Sequence, residues 1–221
     1  MSHDDFAFEP VRGLPAKLPD GEELLWQGTP DWRAMAIRAY HARKVAVYFL
    51  ALILVRIGFG VTDGTAVASL AVSCLWIATL GAVAAGTLAL LAYLNSRMTV
   101  YSVTSERILI RHGIAVPMTV NIPFALIQSA DLKQHANGVG EIFFSLPADQ
   151  RVGYLVTWPN VRPGYFAHPQ PSFRALPDAA RAAELLSRAL AAHAGVKAVR
   201  LTNGWRGRDA GAAEPRTAAT A

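Results

Sequence analysis

The sequence predicts a membrane α-helical hairpin joined to an α+β domain, in which an antiparallel β-sheet or partly closed barrel is capped by a C-terminal helix. Three observations carry this prediction. Only 17% of the 221 residues are charged while 52% are hydrophobic; soluble domains carry about a quarter charged. The run from Ala66 to Leu94, AVASLAVSCLWIATLGAVAAGTLALLAYL, contains no charged residue. Beyond Arg97 the texture changes to short β-rich segments broken by turn residues, followed by one helical pattern.

Residues 1–43 are polar, punctuated by proline and without the apolar core of a signal peptide, and are expected to form a cytoplasmic N-terminal segment. Residues 44–96 form the transmembrane hairpin, with helices at about 44–61 and 66–94. The second run, roughly 29 residues long, exceeds the ~20 that cross a bilayer, and the first is near the lower limit. Between them VTDGT, with Asp63 and Gly64, is a tight polar turn that makes the helices antiparallel. Arg33, Arg38, Arg43 and Lys44 precede the hairpin, Arg97, Arg107 and Arg111 follow it, and the turn has no Lys or Arg. The positive-inside rule then puts both ends in the cytoplasm of a multi-pass protein.

Arg33, Arg38, Arg43, Lys44 and Arg97 form a basic rim, a candidate surface for acidic headgroups or for a partner. Arg56 lies about three helical turns beyond Lys44, inside the apolar run. It can snorkel to the far headgroups, meet a partner helix or acidic lipid, or pair with Asp63 across the turn. The small-xxx-small pairs Ala78/Ala82 and Ala82/Gly86 permit close helix approach, within the hairpin or between copies in a homo-oligomer. No histidine falls within either span, which argues against pigment ligation through intramembrane imidazole.

Residues 97–195 carry the β domain. Strand-like segments are Met98–Val103, Arg107–His112, Met118–Ile122, Leu126–Leu132, Gly140–Leu146 and Gly153–Trp158, separated by Gly113, Pro117, Asn137-Gly138 and Pro147. A helix follows with Pro177 and Asp178 at its start and Gly195 at its end; Ala179, Ala183, Leu186 and Leu190 share the face that caps the sheet. The Pro-rich connector before it holds Trp158, Arg162, Tyr165, Phe166 and Phe173, candidate interaction residues because aromatics and arginine are enriched at interface hot spots. The tail, 196–221, is low in complexity and expected to be disordered.

Catalytic and cofactor signatures are missing. There is no P-loop, GxGxxG, GxSxG or HExxH, and the single cysteine, Cys74, excludes an intrachain disulfide and cysteine zinc patterns. The six histidines are scattered; Asp131 and His135 are four apart but lack a nucleophile or third member. The net charge of +5 concentrates at the membrane face, where lipid explains it better than nucleic acid does. These features describe a non-enzymatic interaction or scaffold protein without catalytic residues, metal or cofactor.

Two sets of residues resemble known families. Trp26, Gly28 and Pro30 before the hairpin, then Tyr101, Val103, Thr104 and Arg107, then Ile122, Pro123 and Ile127, resemble the membrane-anchored bacterial pleckstrin-homology-type domains, which implies a PH-like sheet. The stretch FEPVRGLPAKLPDGEELLWQGTPDWRAMAIRAYHARKVAVYF and the later GYLVTWPNVRPGYFAHPQPSFRALPDA resemble the PuhB family of photosynthetic complex assembly proteins of purple bacteria, with similarity to about Ala194. That resemblance implies a role in assembling the photosynthetic reaction centre through its subunits, the H subunit foremost, in the inner or intracytoplasmic membrane. It also implies three spans, whereas splitting the second apolar run here would give two helices too short to cross. The broader resemblance alone implies the alternative, a generic membrane-anchored PH-like module that binds anionic lipid or an envelope protein.

Overall fold

The computed structural model describes residues 12–114, 116–135, 138–150 and 152–194. The expected disordered tail, Asn137 of the Asn-Gly turn and Gly195 at the end of the last helix lie outside the described residues. Strand β1 (Leu24–Gly28) is followed by helix α1 (Trp32–Arg38) and the hairpin helices α2 (Ala42–Thr62) and α3 (Val67–Met98). Strands β2 (Val100–Thr104), β3 (Arg107–His112), β4 (Met118–Pro123), β5 (Ser129–Gln134) and β6 (Gly140–Ser145) come next. Helix α4 (Tyr154–Thr157), strand β7 (Ser172–Leu176) and helix α5 (Ala179–Ala194) complete the order.

Strands β1-β2-β3-β4 form one antiparallel sheet and β5-β6-β7 another. Their inner faces and α5 enclose a core that includes Tyr101, Ile108, Ile110, Ile122, Phe144, Phe173 and Leu186. The expected face of α5, Ala179, Ala183, Leu186 and Leu190, is buried against it. Two antiparallel sheets closed by a C-terminal helix are the PH-like arrangement implied by the resemblance.

The hairpin is an insertion between two neighbouring strands, since β1 pairs with β2 and Gly28 sits opposite Tyr101. The Trp-x-Gly-x-Pro-Asp segment makes this junction. A Cβ on Gly28 would lie 2.4 Å from the Trp26 ring, so only glycine lets the indole fold back over the strand end. Trp26 then stacks on Phe173, with ring centroids 6.1 Å apart. Asp31 caps α1 by accepting from the Ala34 N–H at 2.7 Å, and its own N–H donates to the Ala175 carbonyl at 2.8 Å.

Among the described residues, two helices are long and apolar enough to cross a membrane, and almost none of their residues is buried in protein. Leu54, Phe59, Val67, Leu75 and Trp76 are all more than 60% exposed, which in water would be a large aggregation-prone surface and in lipid is a solvated one. Gly81 brings the helices together: a Cβ there would meet Phe49 at 2.8 Å. The row Ala78, Ala82, Gly86 faces outward instead, so its small residues do not serve the hairpin. Helix α3 runs unbroken for 32 residues. Its last turns, where Ala92, Asn95 and Ser96 are buried, pack beside α1 and lead straight into β2. The turns of α3 beyond the length needed to cross a bilayer therefore form a stalk docked on the domain.

Two expectations are corrected. Gly153–Trp158 is not a strand: Tyr154–Thr157 is one helical turn, followed by a cis Trp158–Pro159 bond. The strand paired to β6 on that side is β7, so no ladder position is left for the earlier segment. Phe173 is not a connector residue; it lies in β7, fully buried between Trp26, Tyr101 and Phe144. Phe173→Ala should cost about 3–5 kcal/mol, the usual loss for a buried aromatic. The check is the urea midpoint of the detergent-solubilised full chain by near-UV circular dichroism; an unchanged midpoint refutes the core assignment.

Candidate functional site at the foot of the hairpin

The polypeptide enters α2 through a sharp elbow. His41 adopts φ 56°, ψ 27°, a left-handed conformation uncommon outside glycine, and so turns α1 into α2 within a few residues. The elbow stands over the edge of the β5-β6-β7 sheet and leaves a cavity of about 580 Å³. Ile37, Arg38, His41, Arg43, Lys44 and Val47 line it from the helices; Lys133, His135, Glu141, Pro163 and Arg174 line it from the domain.

The floor of this pocket is built around one buried ion pair. Arg174 Nη2 and Nε donate to Glu141 Oε1 at 2.9 and 3.1 Å, with both residues almost fully buried. The same guanidinium donates to the carbonyls of Arg38 at 3.2 Å and Pro159 at 3.3 Å. The Arg174 main chain is held as well: its N–H donates to Tyr101 Oη at 3.1 Å, and that hydroxyl donates to Asn160 Oδ1 at 2.7 Å. Burial pushes the Tyr101 hydroxyl well above the ordinary tyrosine range, so it stays a neutral donor. One charged pair thus ties α1, the connector, β2, β6 and β7 into a rigid wall.

The basic rim expected from the sequence divides into two places, and Arg56 lies apart from both. Arg38, Arg43 and Lys44 come together on the pocket wall. Arg33 and Arg97 lie elsewhere, over the rings of Trp32 and Tyr93 at 5.4 and 5.9 Å, and those two rings meet edge to face. Arg56 points into the hairpin, where its Nη2 reaches Ser73 Oγ at 3.5 Å; no ion pair joins it to Asp63 among the described residues.

The connector forms the neighbouring surface. Trp158 packs edge-on against Tyr40 at 5.2 Å and Phe166 against Tyr154 at 4.7 Å, and both remain largely exposed. Arg162 lies between the rings of Phe143 and Tyr165, at 4.9 and 4.4 Å, and donates to Gln170 at 2.9 Å and Asp131 at 3.4 Å. Asp131 is therefore engaged by Arg162, whereas His135 faces the pocket, and the two do not form a dyad. With exposed Leu155 and Val156 of α4, these residues make an apolar, arginine-edged patch beside the pocket.

Sequence reasoning missed His41, Lys133, Glu141 and Arg174 as site residues. A usable signal existed for two of them: Glu141 in GEIFFSL and Arg174 in SFRAL are lone charges of opposite sign in apolar strands. The family motif residues prove structural. Thr104 Oγ1 accepts from the Arg107 N–H at 3.1 Å to close the β2–β3 turn, Arg107 forms a two-point pair with Glu22, and Ile122 and Ile127 are core. The Arg107 guanidinium holds the Glu22 carboxyl below its ordinary pKa.

Comparison with known proteins agrees with this architecture. The family described as "Bacterial PH domain" matches residues 45–190. A Rhodobacter capsulatus protein described as an uncharacterized 23.7 kDa protein in the puhA 5' region is 38% identical over 190 residues, 86% of this chain and 89% of that protein. No solved structure matches. The chain belongs to the bacterial PH domain family, and PH-like domains are generally non-catalytic binding modules.

One prediction follows from the wall of the pocket. Glu141→Ala leaves the Arg174 guanidinium buried without its counter-charge and should cost about 3–5 kcal/mol, whereas replacing both residues by apolar ones should recover most of that loss. Denaturant titration of the single and double variants checks it. A second concerns acid. Burial first, and neighbouring cations for two of them, hold His41, His112 and His135 below the ordinary value of 6.5. Their folded-state values are depressed, so the stability they contribute is present above about pH 6.5 and is lost as pH falls from there through each folded value. Thermal midpoints should fall between pH 6.5 and 5, and His112→Gln, at the most deeply buried of the three, should flatten that slope.

Proposed function

We propose that this member of the bacterial PH domain family is a non-enzymatic assembly factor for the photosynthetic reaction centre, holding reaction-centre subunits at the membrane during biogenesis. The observation that carries the reading is its 38% identity, over 86% of its length, to a Rhodobacter capsulatus protein located in the puhA 5' region. The resemblance to the PuhB family points the same way and makes the H subunit the leading partner. The architecture is suited to the task, since an apolar hairpin fixes the domain to the bilayer and the exposed Trp158, Tyr165 and Phe166, with the half-buried Arg162 among them, offer a contact surface. The charge distribution supports an orientation with both termini and the β domain on the cytoplasmic side of the inner or intracytoplasmic membrane. The outward row Ala78, Ala82, Gly86 supports helix contact with a partner span or a second copy.

Membranes from a deletion strain, grown under pigment-inducing conditions beside the parent, test this by absorbance. Selective loss of the reaction-centre signal, restored by the intact gene, is the expected result. Phe166→Ser and Trp158→Ala should each weaken co-purification of the H subunit about tenfold, as hot-spot truncations do. An unchanged spectrum with normal phototrophic growth overturns the reading and leaves the generic membrane-anchored module in its place.

A further inference from the structure

We infer that the pocket at the foot of the hairpin is a binding site for the phosphate-bearing headgroup of an acidic phospholipid. Arg38, Arg43, Lys44, Lys133 and Arg174 bring five cations to its wall, against the single carboxylate of Glu141. Arg174 is matched by that carboxylate. The other four have no ion-pair partner among the described residues, so the cavity holds uncompensated positive charge. Two further observations point to an anion. The buried Nε2 of His135 has no hydrogen-bond partner, and α2 begins at His41 with neither a side-chain cap nor an acidic residue in its first turn.

Position and shape select a lipid. Arg43 and Lys44 occupy the first turn of α2, where the apolar helix leaves the domain, so the cationic wall lies at headgroup depth. Ile37 and Val47, 51% and 57% exposed, add apolar surface to the pocket wall, on which glycerol and the first acyl carbons would rest. A cavity of about 580 Å³ is of small-molecule size, and its wall is shared between the helical elbow and the β domain. A bound headgroup would therefore fasten the domain to the hairpin at a fixed angle. After burial, Lys44 and Arg174 lower the pKa of His41; at His135 Arg38 lowers it, Glu141 opposes and Lys133 lowers it again. The inference rests on the membrane placement of the hairpin and on no reaction-centre role.

The test is native mass spectrometry of the full chain in detergent, titrated with phosphatidylglycerol or phosphatidylcholine. One phosphatidylglycerol per chain should be retained in preference to phosphatidylcholine. Lys133→Glu and the exposed Lys44→Glu should each weaken that retention at least about tenfold, since each reverses one headgroup-facing charge. Arg33→Glu and Arg97→Glu, on the same rim but outside the pocket, should change it less than about twofold. In histidine-labelled protein the His41 and His135 signals should titrate at higher pH once phosphatidylglycerol is added. Equal loss from pocket and rim variants overturns the site in favour of diffuse surface attraction. Displacement by inorganic phosphate without any preference for phosphatidylglycerol overturns the lipid in favour of a free anion.

Discussion

The buried pair of Arg174 and Glu141 is the constraint on which the other parts of the architecture converge. Two charges taken out of water are a net cost unless nearly every donor finds an acceptor. Here the guanidinium meets that condition by reaching a carboxylate on the next strand and two main-chain carbonyls from other elements. The carbonyl of Arg38 is one that the end of α1 leaves without a helical partner, so the arginine closes that helix from outside. An apolar pair of equal volume could fill the space but could not bind the main chain of α1 and of the connector. What the charges add is orientation, fixing the helical elbow relative to the sheet.

The membrane hairpin repeats this economy of polar contacts. Arg56 has a hydroxyl of the facing helix within reach, and Ser73 in turn donates to the carbonyl of Ser69 at 2.9 Å, so both polar groups are used inside the hairpin. The Arg56 side chain is half-buried against α3, so it meets the facing helix of its own hairpin, a contact that the sequence did not suggest. The outer surface of both helices is left almost wholly apolar.

Period and composition made most elements legible. The uncharged run from Ala66 needs no context to be read as a long apolar helix, and α5 announces itself because Ala179, Ala183, Leu186 and Leu190 recur at helical spacing. Strands β2 to β6 are joined by short local turns and were visible for that reason. β1 and β7 were not. β1 finds its partner only across the whole hairpin, with a register shift between Leu24 and Trp26, and β7 hides in a Pro-rich stretch where Ala175 adopts φ 55°. The pocket was half legible: Arg38, Arg43 and Lys44 stand together in the sequence. Lys133 and Arg174 join them only through the pairing of β5 and β7 with β6.

Placing the hairpin between adjacent strands also dictates an order of events on the ribosome. β1 ends at Gly28 and β2 begins at Val100, so the first sheet cannot close until both spans have been synthesised. At about 5–20 residues per second, the intervening segment of about 70 residues imposes a wait of roughly 4–14 s. During that wait Trp26 has no Phe173 to stack on. A chain whose hairpin fails to fold back would hold the two strands apart, leaving an unpaired edge and an open core. Completion of the β domain is therefore a built-in checkpoint, and only chains with a closed hairpin present the finished surface.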